Sequence, residues 1–138
     1  MKATAQLGPN GFFTEVAIGG HRLVADEPLD KGGTNRGPTA FSLLAAALSA
    51  CTAATLRYYA NLKQMPLEGV EVEVEAVRRT PAEQVEAGPN AKGAWFRKKI
   101  TLKGDKLTPE QRERLMAVAE KCPVSRTLLE GVDMEKVA

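Results

Sequence analysis

The chain is 138 residues long, with 43% apolar and 26% charged residues, which suffices for one domain with its own core and excludes wholesale disorder. Nineteen basic residues against seventeen acidic ones leave a net charge of +2, without the basic excess of a dedicated nucleic-acid binder. One histidine, His21, and two cysteines, Cys51 and Cys122, are too few and too scattered for a zinc cluster, so no metal is expected.

No apolar run follows Met1-Lys2-Ala3-Thr4, so no secretory leader is expected, and the expected compartment is the reducing cytoplasm. Lys2 to Leu7, Phe12 to Ile18 and His21 to Ala25 read as strands of an antiparallel meander, separated by Gly8-Pro9-Asn10-Gly11 and Gly19-Gly20. His21 lies in the third of these short runs and reads as a surface or turn residue rather than a triad member. The polar, glycine-rich segment from Asp26 to Gly37 is a loop, and its Gly32-Gly33 matches no phosphate-binding pattern.

Thr39 to about Leu62 predicts the longest helix, entered at Pro38 and capped by Thr39. Seven alanines between positions 40 and 54 make it slim, and Phe41, Leu44, Leu48, Cys51 and Thr55 recur at spacings of three and four on one face. Its uncharged stretch is rich in Ala, Ser and Thr and poor in Leu and Phe, which favours burial in protein over a membrane span. From Glu68 to Val77, valines alternate with glutamates, so the carboxylates read as the wet face of a strand rather than an acid–base or calcium site. Arg79 to Gly93 reads as a polar connection, and Trp95 to Leu102 as the returning strand, with Arg97, Lys98 and Lys99 able to pair with the glutamates. Thr108-Pro109-Glu110-Gln111 is a helix start, and that helix runs to Lys121. A second helix runs from about Val124 to Glu130 and stops at Gly131, with a short strand expected over Val132 to Val137.

With histidine chemistry set aside, sulfur carries the reactive potential. A lone buried cysteine is ordinarily a small apolar residue. Against that, Cys122 directly precedes Pro123 where a helix begins, and the free amides of a helix start lower a thiol's pKa. The 71-residue separation excludes a Cys-x-x-Cys motif.

Three segments together resemble the OsmC and organic hydroperoxide resistance family. They are Asp26-Glu27-Pro28 with Gly32-Gly33 and the run Gly37-Pro38-Thr39 through Cys51-Thr52; Pro66 to Val72; and Lys121-Cys122-Pro123-Val124-Ser125-Arg126-Thr127-Leu128. The resemblance spans residues 26–128 and implies one OsmC-like domain over 1–138, of α/β (α+β) class. Its antiparallel sheets would pack on a long central cysteine-bearing helix in an interlocked homodimer. It further implies a thiol-dependent peroxidase for organic hydroperoxides or hydrogen peroxide. Cys51 would be the peroxidatic thiolate, Cys122 the resolving thiol, and an external dithiol the reductant. No cofactor, nucleic acid or membrane is implied.

The chain departs from the family pattern in two places. Ala40-Phe41-Ser42 holds no carboxylate where the family has a glutamate that orients an arginine, and Ser125 stands where histidine is common. By position, Arg36 is the preferred activating cation, ahead of Arg22, and a less constrained arginine implies slower turnover. Two other readings follow from the same residues. One is an OsmC-fold protein with weak or no turnover that senses redox state or binds a small apolar ligand; the other is a structural module with inert cysteines.

Overall fold

The computed structural model describes residues 1–137. Two compact units make up the chain, residues 1–44 and residues 45–138. Together they are of mixed α+β class, with two small antiparallel sheets and four α-helices.

In the first unit, β1 (Ala3–Leu7), β2 (Thr14–Ile18) and β3 (His21–Ala25) form a meander in the order β1-β2-β3. Ile18 lies opposite His21 across the Gly19-Gly20 turn. The loop that follows is organised by one carboxylate. Asp26, 2% exposed, accepts hydrogen bonds from the amides of Glu27, Thr34 and Arg36 and from the Thr34 hydroxyl. A 3-10 turn, Leu29–Lys31, lies inside this loop. Gly33 is required there, because a Cβ at this position would sit 1.9 Å from the carbonyl oxygen of Glu27.

The long helix α1 (Ala40–Leu62) begins where expected, with the Thr39 hydroxyl accepting the Ser42 amide at 3.1 Å. Its length and apolarity alone would let it cross a membrane. A four-spaced stripe of Leu48, Thr52, Leu56 and Ala60 is buried in protein. This corrects the expected face: Leu44 is 43% exposed and Cys51 only half-buried. Most positions of this alanine-rich segment are apolar or small, so several stripes fit the helical period and packing selects among them.

In the second unit, β4 (Gly69–Arg78) pairs antiparallel with β5 (Ala94–Lys103), placing Val70 opposite Leu102 and Glu73 opposite Lys99. The core joins α1 to this sheet and to α3 (Pro109–Ala119) through Leu56, Ala60, Leu67, Leu107, Leu115, Val118 and Ala119, with Val70, Ile100 and Leu102 packed on it. Arg112 donates to the carbonyls of Leu102 and Gly104, tying α3 to the end of β5. Between the strands, the expected connection contains a short helix, α2 (Pro81–Glu86), whose Thr80–Glu83 capping box matches the Thr108–Gln111 box of α3. The last helix, α4 (Pro123–Glu130), ends at Gly131, and residues 132–137 form no strand.

Candidate active site

Two helices bring the cysteines together. Cys51 lies midway along α1, beside the buried stripe. Cys122 is the N-cap of α4, a role it takes because Pro123 fixes the first helical φ and needs no donor of its own. Its sulfur accepts the Ser125 amide at 3.3 Å and lies 3.5 Å from the Thr52 hydroxyl. The Cys51 thiol hydrogen-bonds to the same sulfur. Cys122 and Thr52 are both fully buried.

Burial pushes the Cys122 thiol up. The Thr52 hydroxyl, the Ser125 amide, the Cys51 thiol and the Lys98 ammonium outweigh it and hold the group below the ordinary thiol value. Thr52 has one proton to give, and it donates that proton to the Leu48 carbonyl at 2.8 Å. In the neutral state the Cys122 S–H therefore donates to the Thr52 oxygen. Ionisation of the sulfur lets the Thr52 hydroxyl turn toward it, which stabilises the anion without moving the backbone.

Lys98 belongs to the inward-facing register of β5, with Phe96, Ile100 and Leu102, because Ile100 and Leu102 pack on the core. Its side chain is 11% exposed. The ammonium donates to the Ala119 carbonyl at 3.0 Å, at the negative end of α3, and pairs with Glu120 at 3.3 Å. The expectation that Lys98 would pair outward with the strand glutamates is thereby corrected, while Arg97 does pair with Glu75 at 3.4 Å. Alternation from Ile100 and Leu102 back to Phe96 and Lys98 was the signal that sets this residue inside.

Arg36 lies in the 1–44 unit, where its amide donates to Asp26 at 3.2 Å and its guanidinium sits 4.0 Å from the centre of the Phe13 ring. Arg22 is exposed on β3 opposite Ala17, and His21 is exposed on the same strand. Ser42 serves the start of α1, whereas Ser125 is buried with its amide on the Cys122 sulfur. Among the described residues, no three His, Cys, Asp or Glu side chains gather as a metal site. A groove of about 600 Å³, which neither thiol lines, has an apolar side of Leu48, Trp95, Phe96, Leu128 and Leu129 and a polar side that includes Lys92, Lys98, Glu120, Ser125 and Glu130.

The chain matches the OsmC-like protein family over residues 33–136, a segment that holds Arg36 and both cysteines. Comparison with the curated proteins finds no match. Among solved structures, the chain is similar to an organic hydroperoxide resistance protein from Legionella pneumophila, at 29% identity and a TM-score of 0.59 over 92% of this chain and 87% of that one. An OsmC-like protein from Mycoplasma pneumoniae shares the fold at 19% identity and a TM-score of 0.73, over 93% and 86% of the two chains. The organic hydroperoxide resistance protein OhrB of Bacillus subtilis shares it at 23% identity and 0.58, over 96% and 92%. With a family match across most of its length and this fold around its two cysteines, the chain belongs to the OsmC-like protein family.

Proposed function

We propose that the protein is a thiol-dependent peroxidase that reduces organic hydroperoxides or hydrogen peroxide with two cysteines. The observation that carries this reading is the hydrogen-bonded pairing of Cys51 and Cys122, 71 positions apart in sequence, around a sulfur held below the usual thiol pKa. The half-exposed Cys51 is the thiol a peroxide can reach. Its thiolate attacks one peroxide oxygen; the S–O bond forms, the O–O bond breaks, and the alkoxide leaves and takes a proton as alcohol. The resulting sulfenic acid faces Cys122, whose thiolate displaces hydroxide and closes a disulfide. An external dithiol restores both thiols by exchange.

In this reading Arg36 is the activating cation for Cys51, a role given to it by its position just ahead of α1. A homodimer is part of the same reading, supported by α1, which buries four of its 23 residues and leaves Leu44, Tyr58 and Leu62 exposed. A reducing cytoplasm suits a cycle that starts from free thiols.

The test is steady-state consumption of tert-butyl hydroperoxide or hydrogen peroxide with a dithiol such as dihydrolipoamide. Turnover should exceed that of the dithiol alone by orders of magnitude, vanish in Cys51→Ser and stall after one turnover in Cys122→Ser. The apolar groove favours a second reading, a family member that binds a small apolar ligand or senses redox state without turnover. A rate no better than that of free dithiol, together with saturable binding of an apolar probe, selects it.

A further inference from the structure

We propose that Lys98 is a positioning residue for Cys122, holding that sulfur ready to act as the nucleophile that closes the disulfide and as the leaving group when it reopens. The inference rests on the two-cysteine reading and extends it to a residue outside the cysteine motifs.

Three observations converge. Lys98 is the charged residue in the inward register of β5, among Phe96, Ile100 and Leu102. Its ammonium is fixed at the Ala119 carbonyl and Glu120, where α3 ends and the chain turns into Cys122. Cys122 is fully buried, so neither peroxide nor dithiol meets it directly, whereas Cys51 is half-exposed. A buried sulfur that accepts the Ser125 amide and feels the field of a fixed cation is suited to exchange with its neighbour alone.

The electron balance assigns the roles. In closure, the Cys122 thiolate attacks the Cys51 sulfur of the sulfenic acid; the S–S bond forms, the S–O bond breaks, and hydroxide leaves and is protonated to water. In reopening, one thiolate of the external dithiol attacks the accessible Cys51 sulfur. A mixed disulfide forms there, the internal S–S bond breaks, and Cys122 departs with the electron pair. The second thiol of the reductant then displaces Cys51, so the dithiol ends as a disulfide and the protein regains two thiols. A leaving thiol of low pKa departs faster, so one cation favours both half-reactions.

The titratable groups facing Cys122 are Cys51 from α1, Lys98 from β5 and, through Lys98, Glu120 at the end of α3. The experiment measures the thiolate absorbance of Cys51→Ser, in which Cys122 is the remaining thiol, against pH. Adding Lys98→Met should lower the acid dissociation constant about threefold, and Lys98→Arg should restore most of it. Glu120→Gln, an exposed change that frees the ammonium and removes a negative charge, should raise the constant about threefold and decides the matter should Lys98→Met fail to fold. In the two-cysteine protein, Lys98→Met should leave sulfenate formation at Cys51 within twofold of wild type and slow disulfide closure at neutral pH about threefold. Unmoved midpoints in a protein that oxidises Cys51 normally overturn the Lys98 assignment. Shifted midpoints in a protein whose Cys51 never oxidises support the coupling and overturn the peroxidase reading instead.

Discussion

Four donors converge on Asp26, and they hold its carboxyl down at about 2, against 3.8 for the free group; the Thr34 hydroxyl contributes most, burial opposes it, and the backbone amides of Arg36, Glu27 and Thr34 add the rest. Because the folded value lies below the unfolded one, the stabilisation is complete above about pH 4 and is lost as the pH falls from about 4 towards 2. Asp26→Asn should lower Tm by several degrees at neutral pH and flatten the acid limb of the Tm–pH curve between about 4 and 2, read by circular dichroism. Thr52 is the other residue whose single hydroxyl matters. Thr52→Val keeps the shape of the buried stripe and removes a partner of Cys122, so the thiol titration should move to higher pH while stability falls by about 1 kcal/mol. Cys122 was legible as a special thiol because Pro123 marks a helix start. Lys98 was not, because Arg97-Lys98-Lys99 reads as one charged cluster until the phase of the strand is fixed by Ile100 and Leu102. Thr52 was hidden by its neighbour Cys51, since only packing tells which of two adjacent helix positions faces the core.

The elements follow from local chemistry wherever that chemistry is strong. Alternation of Val and Glu defines β4, Thr39 starts α1, and Thr108 with Gln111 starts α3, all within a residue or two of the expected bounds. The same capping logic sits at Thr80-Pro81-Ala82-Glu83, and α2 went unread because its six residues lack an apolar stripe to announce a helix. The two caps should differ in effect. Thr108→Ala should cost the core about 1 kcal/mol in denaturant unfolding, because α3 buries Leu115, Val118 and Ala119. Thr80→Ala should fray α2 alone and speed its amide exchange, leaving the global midpoint unchanged, since α2 buries nothing. Leu56, fully buried where α1 meets α3 and the β4–β5 sheet, should cost about 2–5 kcal/mol on replacement by alanine. The segment after Gly131 forms no strand: every residue from 131 to 137 is exposed, so Val132 and Met134 bury no face that would hold one.

At the scale of the molecule, two compact units carry one family's pattern, with the cysteine pair housed in residues 45–138 and the Asp26 loop in residues 1–44. The fold was legible because three motifs kept their order and spacing, and physical reading of the elements agreed with them. The proposed homodimer makes a prediction of its own. Tm should rise with protein concentration, and dilution should unfold the chain rather than release a folded monomer; a Tm independent of concentration contradicts it. The central claim, that Cys51 and Cys122 act as one redox pair, is tested most directly by peptide mapping of the protein after one equivalent of peroxide. The account predicts a single intrachain disulfide joining the Cys51 and Cys122 peptides with both free thiols consumed. Recovery of two free thiols, or oxidation of Cys51 to sulfinic acid with Cys122 untouched, would contradict it.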